Sequence, residues 1–403
     1  MPSLSQRAAA MPASPIRKLV PYAEAAAKRG VKIFHLNIGQ PDVRTPDEFW
    51  NAVRRPDLKV LEYSHSAGPA ALREGIAAAY RAMGLDVADD QVIVTTAGSE
   101  ALSFAIGCVC DDGDEVIVPE PMYANYIGFA AALGVKVVPI TTRIEDNFAL
   151  PPASEFAKRI TPRTKAIVVC NPNNPTGTVY SEDQLEALRD LALAHDIFII
   201  ADEVYREFNY LGGRPKSVLE LEGLDKHAVM VDSVSKRYSL CGARVGFIVS
   251  RNPDLMSAAM RFAQARLSPP TLECIGVIGA LQTPASYFDE VRAEYRARRD
   301  VVVSRVRAIP GAVCPDIDGA FYATVRLPID DSDTFCQWLL ESFDHNGKTV
   351  MFAPATGFYA TPGLGKDEVR IAYVLNTSAL NEAMDCLEAA LAAYPGRREL
   401  TTA

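Results

Sequence analysis

The 403-residue chain has no Cys-x-x-Cys pair. Cys108, Cys110, Cys170, Cys241, Cys274, Cys314, Cys336 and Cys386 are scattered, mostly in apolar runs. This excludes a disulfide framework or a cysteine-built zinc site, and fits buried free thiols in a reducing compartment. The five histidines show no metal-ligand spacing. There is no Lys/Arg-rich run and the net charge is −9, which argues against a nucleic-acid partner. No apolar run reaches the ~20 residues that cross a bilayer. Pro2, Pro12, Pro15 and Pro21 interrupt the N-terminal stretch where the apolar part of a signal peptide would lie. We therefore expect a soluble cytoplasmic protein with no membrane and no nucleic acid among its partners.

Hydrophobic residues make up 49% of the chain, enough for one large domain and a smaller one. From about residue 70 to 250, short β-branched runs alternate with helical stretches. The runs are Val92–Thr95, Glu115–Pro119, Val135–Ile140, Ala166–Cys170, Ile197–Ala201, Val229–Asp232 and Gly246–Ser250. Helices are expected over Ile16–Arg29, Ala70–Met83, Ser99–Cys110, Met122–Leu133 and Ser181–His195. Such alternation predicts an α/β fold whose mostly parallel central sheet is covered by helices on both faces. After about residue 285 the texture changes. A long charged helix near Tyr287–Val306 is followed by strands around Ala320–Val325 and Glu368–Ala372, then an Ala/Leu-rich helix ending near Tyr394. This predicts a smaller α+β domain built from the N- and C-terminal segments. The expected division is an N-terminal arm (1–45), a large domain (46–285) and a C-terminal small domain (286–403).

Several segments carry chemistry, mostly just after predicted strands, where α/β sheets bind ligands. In Ser233-Val234-Ser235-Lys236, with Arg244 eight positions on, one lysine sits among hydroxyls and a guanidinium. A phosphate-bearing aldehyde needs that set: the amine forms a Schiff base and the other groups hold the phosphate. Asn171-Pro172-Asn173-Asn174-Pro175-Thr176-Gly177 is a turn able to hold one amide rigidly over a site. Asp202, in Asp202-Glu203-Val204-Tyr205, ends an apolar strand. There it either caps the next helix or pairs with a protonated ring nitrogen, while Glu203 faces elsewhere. Thr96-Ala97-Gly98-Ser99-Glu100 joins a strand to a helix and offers free N–H groups to a phosphate. It lacks the G-x-G-x-x-G of a dinucleotide site and the lysine of a P-loop. Arg370, among apolar neighbours, is a surface fork or a buried anion clamp. Tyr63 and Tyr123 each lie near the start of a predicted helix, and Tyr123 can stack on a flat ring.

Together these residues resemble a fold-type I pyridoxal-phosphate enzyme of the class I/II aminotransferase family. The likeness runs from roughly residue 14 to 394 and keeps the family's motif order. It implies that Lys236 carries pyridoxal 5′-phosphate and, once displaced, moves the proton between substrate and cofactor. It assigns Asp202 to the pyridinium nitrogen, Asn174 and Tyr205 to the ring oxygen, and Tyr123 to stacking. Gly98, Ser99, Glu100, Ser233, Ser235 and Arg244 form the phosphate site. Arg370 clamps the substrate α-carboxylate, with Gly39 and Asn174 close by. Tyr63 reaches the phosphate of a neighbouring subunit, which implies a homodimer. The implied reaction moves an amino group from an L-amino acid to a 2-oxo acid, such as 2-oxoglutarate, by ping-pong kinetics. The same site on this fold also serves lyases, decarboxylases and oxidases.

The chain departs from the family in places that bear on substrate. Bacterial aspartate-specific relatives often carry a lysine where Ser99 stands. Glu100 is unusual, and Cys241 occupies a position where proline or threonine is common. The Gly98-Ser99-Glu100-Ala101 version looks closer to relatives acting on aromatic or mixed substrates, with aspartate left open.

Overall fold

The computed structural model describes residues 2–54 and 56–398. Eight strands precede residue 250: β1 (Lys32–His35), β2 (Val92–Thr95), β3 (Glu115–Glu120), β4 (Lys136–Thr141), β5 (Thr164–Cys170), β6 (Phe198–Asp202), β7 (Ala228–Ser233) and β8 (Gly246–Val249). Seven of them form one sheet in the order β2-β8-β7-β6-β5-β3-β4. The central strands are unbroken apolar runs because both their faces are covered. In β5, Ala166, Val168 and Cys170 enter one core cluster, while Ile167 and Val169 enter the other. The alternation follows from side chains pointing to opposite faces along a strand.

The sheet is mostly parallel, as expected, with one exception. Strand β8 runs antiparallel to both β7 and β2. Between β7 and β8 the chain has only the single-turn helix Val234–Arg237 and a loop. That is too little for a helical crossover, so the chain doubles back. The other six strands share one direction. The turns after β2, β5, β6 and β7 therefore meet along a single edge of the sheet.

Four more strands follow: β9 (Tyr322–Arg326), β10 (Lys348–Met351), β11 (Ala353–Pro354) and β12 (Glu368–Ala372). Strands β11, β12 and β9 make an antiparallel sheet, and β10 pairs in parallel with β1. The pattern had pointed to β9 and β12, but not to β1, β10 or β11. The long helix Ala285–Ala308 links the two parts. Its Arg298 bonds the Val374 carbonyl and Asp42 of the N-terminal segment, both at 2.6 Å. Helix limits agree with the predicted ones to within a few residues. Ser181 and Gln184, for instance, form a reciprocal capping box that starts the helix Glu182–His195.

Candidate active site

A cavity of about 300 Å³ opens where the edge of the large sheet meets β12 and the N-terminal segment. Gly39, Gly98, Ser99, Tyr123, Asn174, Asp202, Tyr205, Ser233, Ser235, Lys236, Arg244 and Arg370 all line it. Two predicted residues do not.

Lys236 stands on the one-turn helix after β7. Ser233 caps that turn, its hydroxyl accepting from the Ser235 N–H at 3.1 Å and donating to the Val245 carbonyl at 2.9 Å. The Lys236 ammonium donates to the Gly39 carbonyl at 2.8 Å, and the Cys241 thiol lies 3.8 Å away. Glycine is required at 39, since a Cβ there would sit 1.7 Å from the Tyr322 hydroxyl.

Asp202, at the end of β6, is buried and has no cationic side chain in salt-bridge contact among the described residues. It accepts from the Tyr126 hydroxyl at 2.8 Å and the Val204 N–H at 3.4 Å. Burial pushes its pKa up to about 6, with those two bonds acting against the shift. A buried acid held this way can pair with a cationic ring nitrogen.

The Asn-Pro heptad divides its labour. Asn171 accepts from the Tyr180 N–H, and Asn173 ties the turn to Thr176 and Tyr180. Asn174 alone faces the cavity. Its amide nitrogen donates to the Tyr205 hydroxyl at 3.3 Å, and its oxygen accepts from Arg370 at 2.9 Å. The Tyr205 hydroxyl is also 2.9 Å from that of Tyr322. Gly177 closes the turn at φ +78°, where a Cβ would lie 2.6 Å from the Tyr322 carbonyl.

Arg370, on β12, is buried. Its guanidinium stacks over Tyr322 at 4.5 Å and Phe358 at 4.8 Å, and donates to the Asn37 carbonyl at 2.6 Å. No acid pairs with it among the described residues, and its Nε has no hydrogen-bond partner.

On the opposite side, Ala97 opens the helix Ala97–Val109 at φ +63°, forced there by the close approach of Gly246. The first N–H groups of a helix have no partner within it. With Ser99, Ser233, Ser235 and Arg244 around them, they make a set able to hold a phosphate. Glu100 requires a correction: its carboxylate does not line the cavity. It accepts from the Thr96 N–H at 2.7 Å and pairs with Arg266 at 2.9 Å. Tyr63 is 81% exposed and lies outside the cavity.

A buried ionic cluster sits behind the lining. Asp232 pairs with Arg237, accepts from the Tyr80 hydroxyl at 2.8 Å and lies 3.7 Å from Arg206. Arg206 pairs with Glu203 at 2.8 Å, and Glu203 also accepts from the Ser217 hydroxyl. Arg237, Glu203 and Arg206 directly follow the cavity residues Lys236, Asp202 and Tyr205. Sequence reasoning did not assign this cluster, nor Tyr126 and Tyr322. The two tyrosines come from a helix and a strand with no local motif, so only the fold brings them in.

A lysine, a buried acid, a helix start with free N–H groups and a buried arginine around one cavity on an α/β fold are a set that fits pyridoxal phosphate. The family described as aminotransferase class I and II matches residues 31–387, and the chain belongs to it. The aspartate aminotransferase of Bacillus subtilis is 30% identical, covering 95% of this chain and 97% of its own. The aspartate/prephenate aminotransferase of Thermus thermophilus is 32% identical, covering 96% and 98%. The solved aspartate aminotransferase of Thermotoga maritima superposes with a TM-score of 0.88 at 30% identity, over 96% of this chain and all of that one. This chain is a pyridoxal 5′-phosphate-dependent transaminase.

Proposed function

We propose that the cavity residues take the roles their positions favour in moving an amino group from an L-amino acid to a 2-oxo acid. The observation that carries this reading is Arg370. A buried cation with no acid partner is costly unless a ligand supplies the charge. Its planar fork suits an α-carboxylate bidentately, with Asn174 and Gly39 beside it.

When bound, pyridoxal phosphate supplies an aldehyde that takes up amino groups and a cationic ring that accepts electrons from the substrate. The residues fit it. Asp202 offers a buried negative charge for the ring nitrogen. Tyr205 and Asn174 turn hydrogen-bonding groups toward the ring oxygen, and Tyr123 flanks the ring. Gly98, Ser99, the Glu100 backbone, Ser233, Ser235 and Arg244 surround the phosphate. Among the described residues Lys236 is the only lysine lining the cavity, so its amine would hold the cofactor and, when free, move a proton at the substrate Cα. One site serving both substrates in turn makes the kinetics ping-pong.

We further propose a homodimer, with Tyr63 reaching the neighbouring site. The support is the exposed apolar run Leu58, Val60, Leu61 and Tyr63, with Leu267 also exposed. The pairing of β1 with β10 supports the division into arm (1–45), large domain (46–285) and small domain (286–403). All eight cysteines are free, which supports the cytoplasm as its place. No helix among the described residues is long and apolar enough to cross a membrane.

The test is to titrate the holoenzyme with a panel of L-amino acids. The visible cofactor band should collapse and then return on adding 2-oxoglutarate, without ammonia release. Ammonia, carbon dioxide or oxygen uptake in place of that cycle would replace transamination with elimination, decarboxylation or oxidation.

A further inference from the structure

Tyr322, on β9, touches three parts of the site at once. Its ring lies beneath the Arg370 guanidinium at 4.5 Å. Its hydroxyl fills the space beside Gly39, where a Cβ would sit 1.7 Å from it. The same hydroxyl is 2.9 Å from that of Tyr205, and among the described residues it has no other hydrogen-bond partner. The residue is buried, and its strand is docked on the Asn-Pro turn. The Thr324 hydroxyl donates to the Pro175 carbonyl at 3.0 Å, and the Gly319 N–H donates to the Gly177 carbonyl at 2.8 Å. Tyr322 and Asn174 are therefore held on one unit, facing Tyr205 together.

The direction of these bonds follows from counting protons. A guanidinium only donates, so Oδ1 of Asn174 is the atom that faces Arg370, and its Nδ2 faces Tyr205. The Tyr205 oxygen thus accepts from Asn174 and has one proton of its own to place. Burial holds that proton well above the usual phenol range. Two acceptors compete for it: the Tyr322 hydroxyl and the cofactor's ring oxygen. A ring oxygen bearing negative charge is the stronger acceptor. Once Tyr205 donates there, its contact with Tyr322 is a hydrogen bond only if Tyr322 is the donor. Two bonds accepted and one given use the whole capacity of Tyr205. Each accepted bond also polarises the O–H that it gives.

We propose that Tyr322 is a positioning residue whose hydroxyl donates to Tyr205 and so aims and strengthens the bond from Tyr205 to the cofactor's ring oxygen. The inference rests on the reading above that Tyr205 faces that oxygen. A bond to the ring oxygen draws charge off it and loosens its hold on the proton it shares with the Lys236 nitrogen. Tyr322 therefore helps to set the pH at which that proton leaves, acting through Tyr205 rather than on the cofactor itself.

The experiment follows the visible absorbance of the substrate-free holoenzyme against pH in the wild type, Tyr205→Phe, Tyr322→Phe and the double variant. Loss of the charge-assisted bond in Tyr205→Phe should raise the titration midpoint by about 1–2 pH units. Tyr322→Phe should raise it by roughly a tenth to a third as much, the share that polarisation by a neighbour adds to a bond. With Tyr205→Phe already present, Tyr322→Phe should move the midpoint no further. Calorimetry with propionate, a bare carboxylate, should show unchanged affinity in Tyr322→Phe, because the ring stays beneath Arg370. An unmoved or lowered midpoint in Tyr322→Phe, or the same rise in both backgrounds, overturns the proposal and leaves the role of Tyr205 intact. Weakened propionate binding overturns it too, since the substitution would then disturb the cavity at large. Should Tyr205→Phe itself leave the midpoint in place, the ring-oxygen reading fails and the proposal falls with it.

Discussion

The Tyr126 hydroxyl donates to Oδ2 of Asp202 at 2.8 Å, both residues buried beneath the cavity. The bond favours the ionised acid while burial opposes it, and burial prevails, leaving Asp202 at about 6. An acid whose pKa is higher folded than unfolded binds more protons in the folded state. Its contribution to stability is then present at low pH and lost as pH rises. In the cofactor-free protein, stability should fall between about pH 4 and 6 by roughly 3 kcal/mol from this residue. Asp202→Asn should lack that slope in urea denaturation across the same window. In the holoenzyme, Asp202→Asn should lower kcat about 10²–10³-fold, as expected for removing a preorganised charge.

Lys236→Ala should remove both covalent attachment and proton transfer. Turnover should fall by about 10²–10⁴-fold or more. The bound cofactor should be released on gel filtration with an amine, whereas the wild type retains it. Far-ultraviolet dichroism should not change, since the side chain's one close bond is to the Gly39 carbonyl.

Arg370→Lys retains the charge but loses the fork. We expect kcat/KM to fall about 10–10²-fold for every amino acid alike, because each carries an α-carboxylate. That uniform loss separates Arg370 from any group that reads the substrate's side chain, whose loss would differ between amino acids. Steady-state rates with aspartate and alanine give both numbers.

Tyr205 and Tyr322 share a hydroxyl contact at 2.9 Å that also includes Asn174. Tyr205→Phe and Tyr322→Phe should each cost a few-fold in kcat/KM. The double variant should cost less than the product, since the two belong to one network. Strict additivity in the cycle would show that the hydroxyls act separately.

Asp232 has no exposure and faces Arg237, Arg206 and Tyr80. Asp232→Ala takes from buried Arg237 its close carboxylate, leaving it only Glu207 at 3.9 Å, while Arg206 keeps Glu203. A loss of about 3–5 kcal/mol is expected from removing one partner of a buried pair. Urea denaturation of the holoenzyme measures it, and Ala replacement of exposed Asp112 serves as a neutral control.

How much was legible followed from how local each signal was. Strands β5 to β7 announce themselves as apolar β-branched runs, and the residues just beyond them carry the lysine, the acid and the Asn-Pro turn. The family likeness reached Arg370 and Tyr63 only because the order of motifs is shared. The antiparallel β8 was hidden, since a strand's direction is set by the length of the connection before it. Strands β1, β10 and β11 are short and pair across the whole chain, which no window of residues reports. The direction of the Glu100 carboxylate was hidden because it answers to Arg266, a partner far away in sequence. Tyr126 and Tyr322 carry no motif, and only packing brings them to the site.

The parallel pairing of Lys32–His35 with Lys348–Met351 joins an early segment of the chain to a late one. Without that pairing the carbonyl groups of Asn37 and Gly39, which receive Arg370 and Lys236, have no fixed place. The cleft therefore depends on a pairing between residues more than 300 positions apart, a contact whose loop-closure cost is met only by the folded whole.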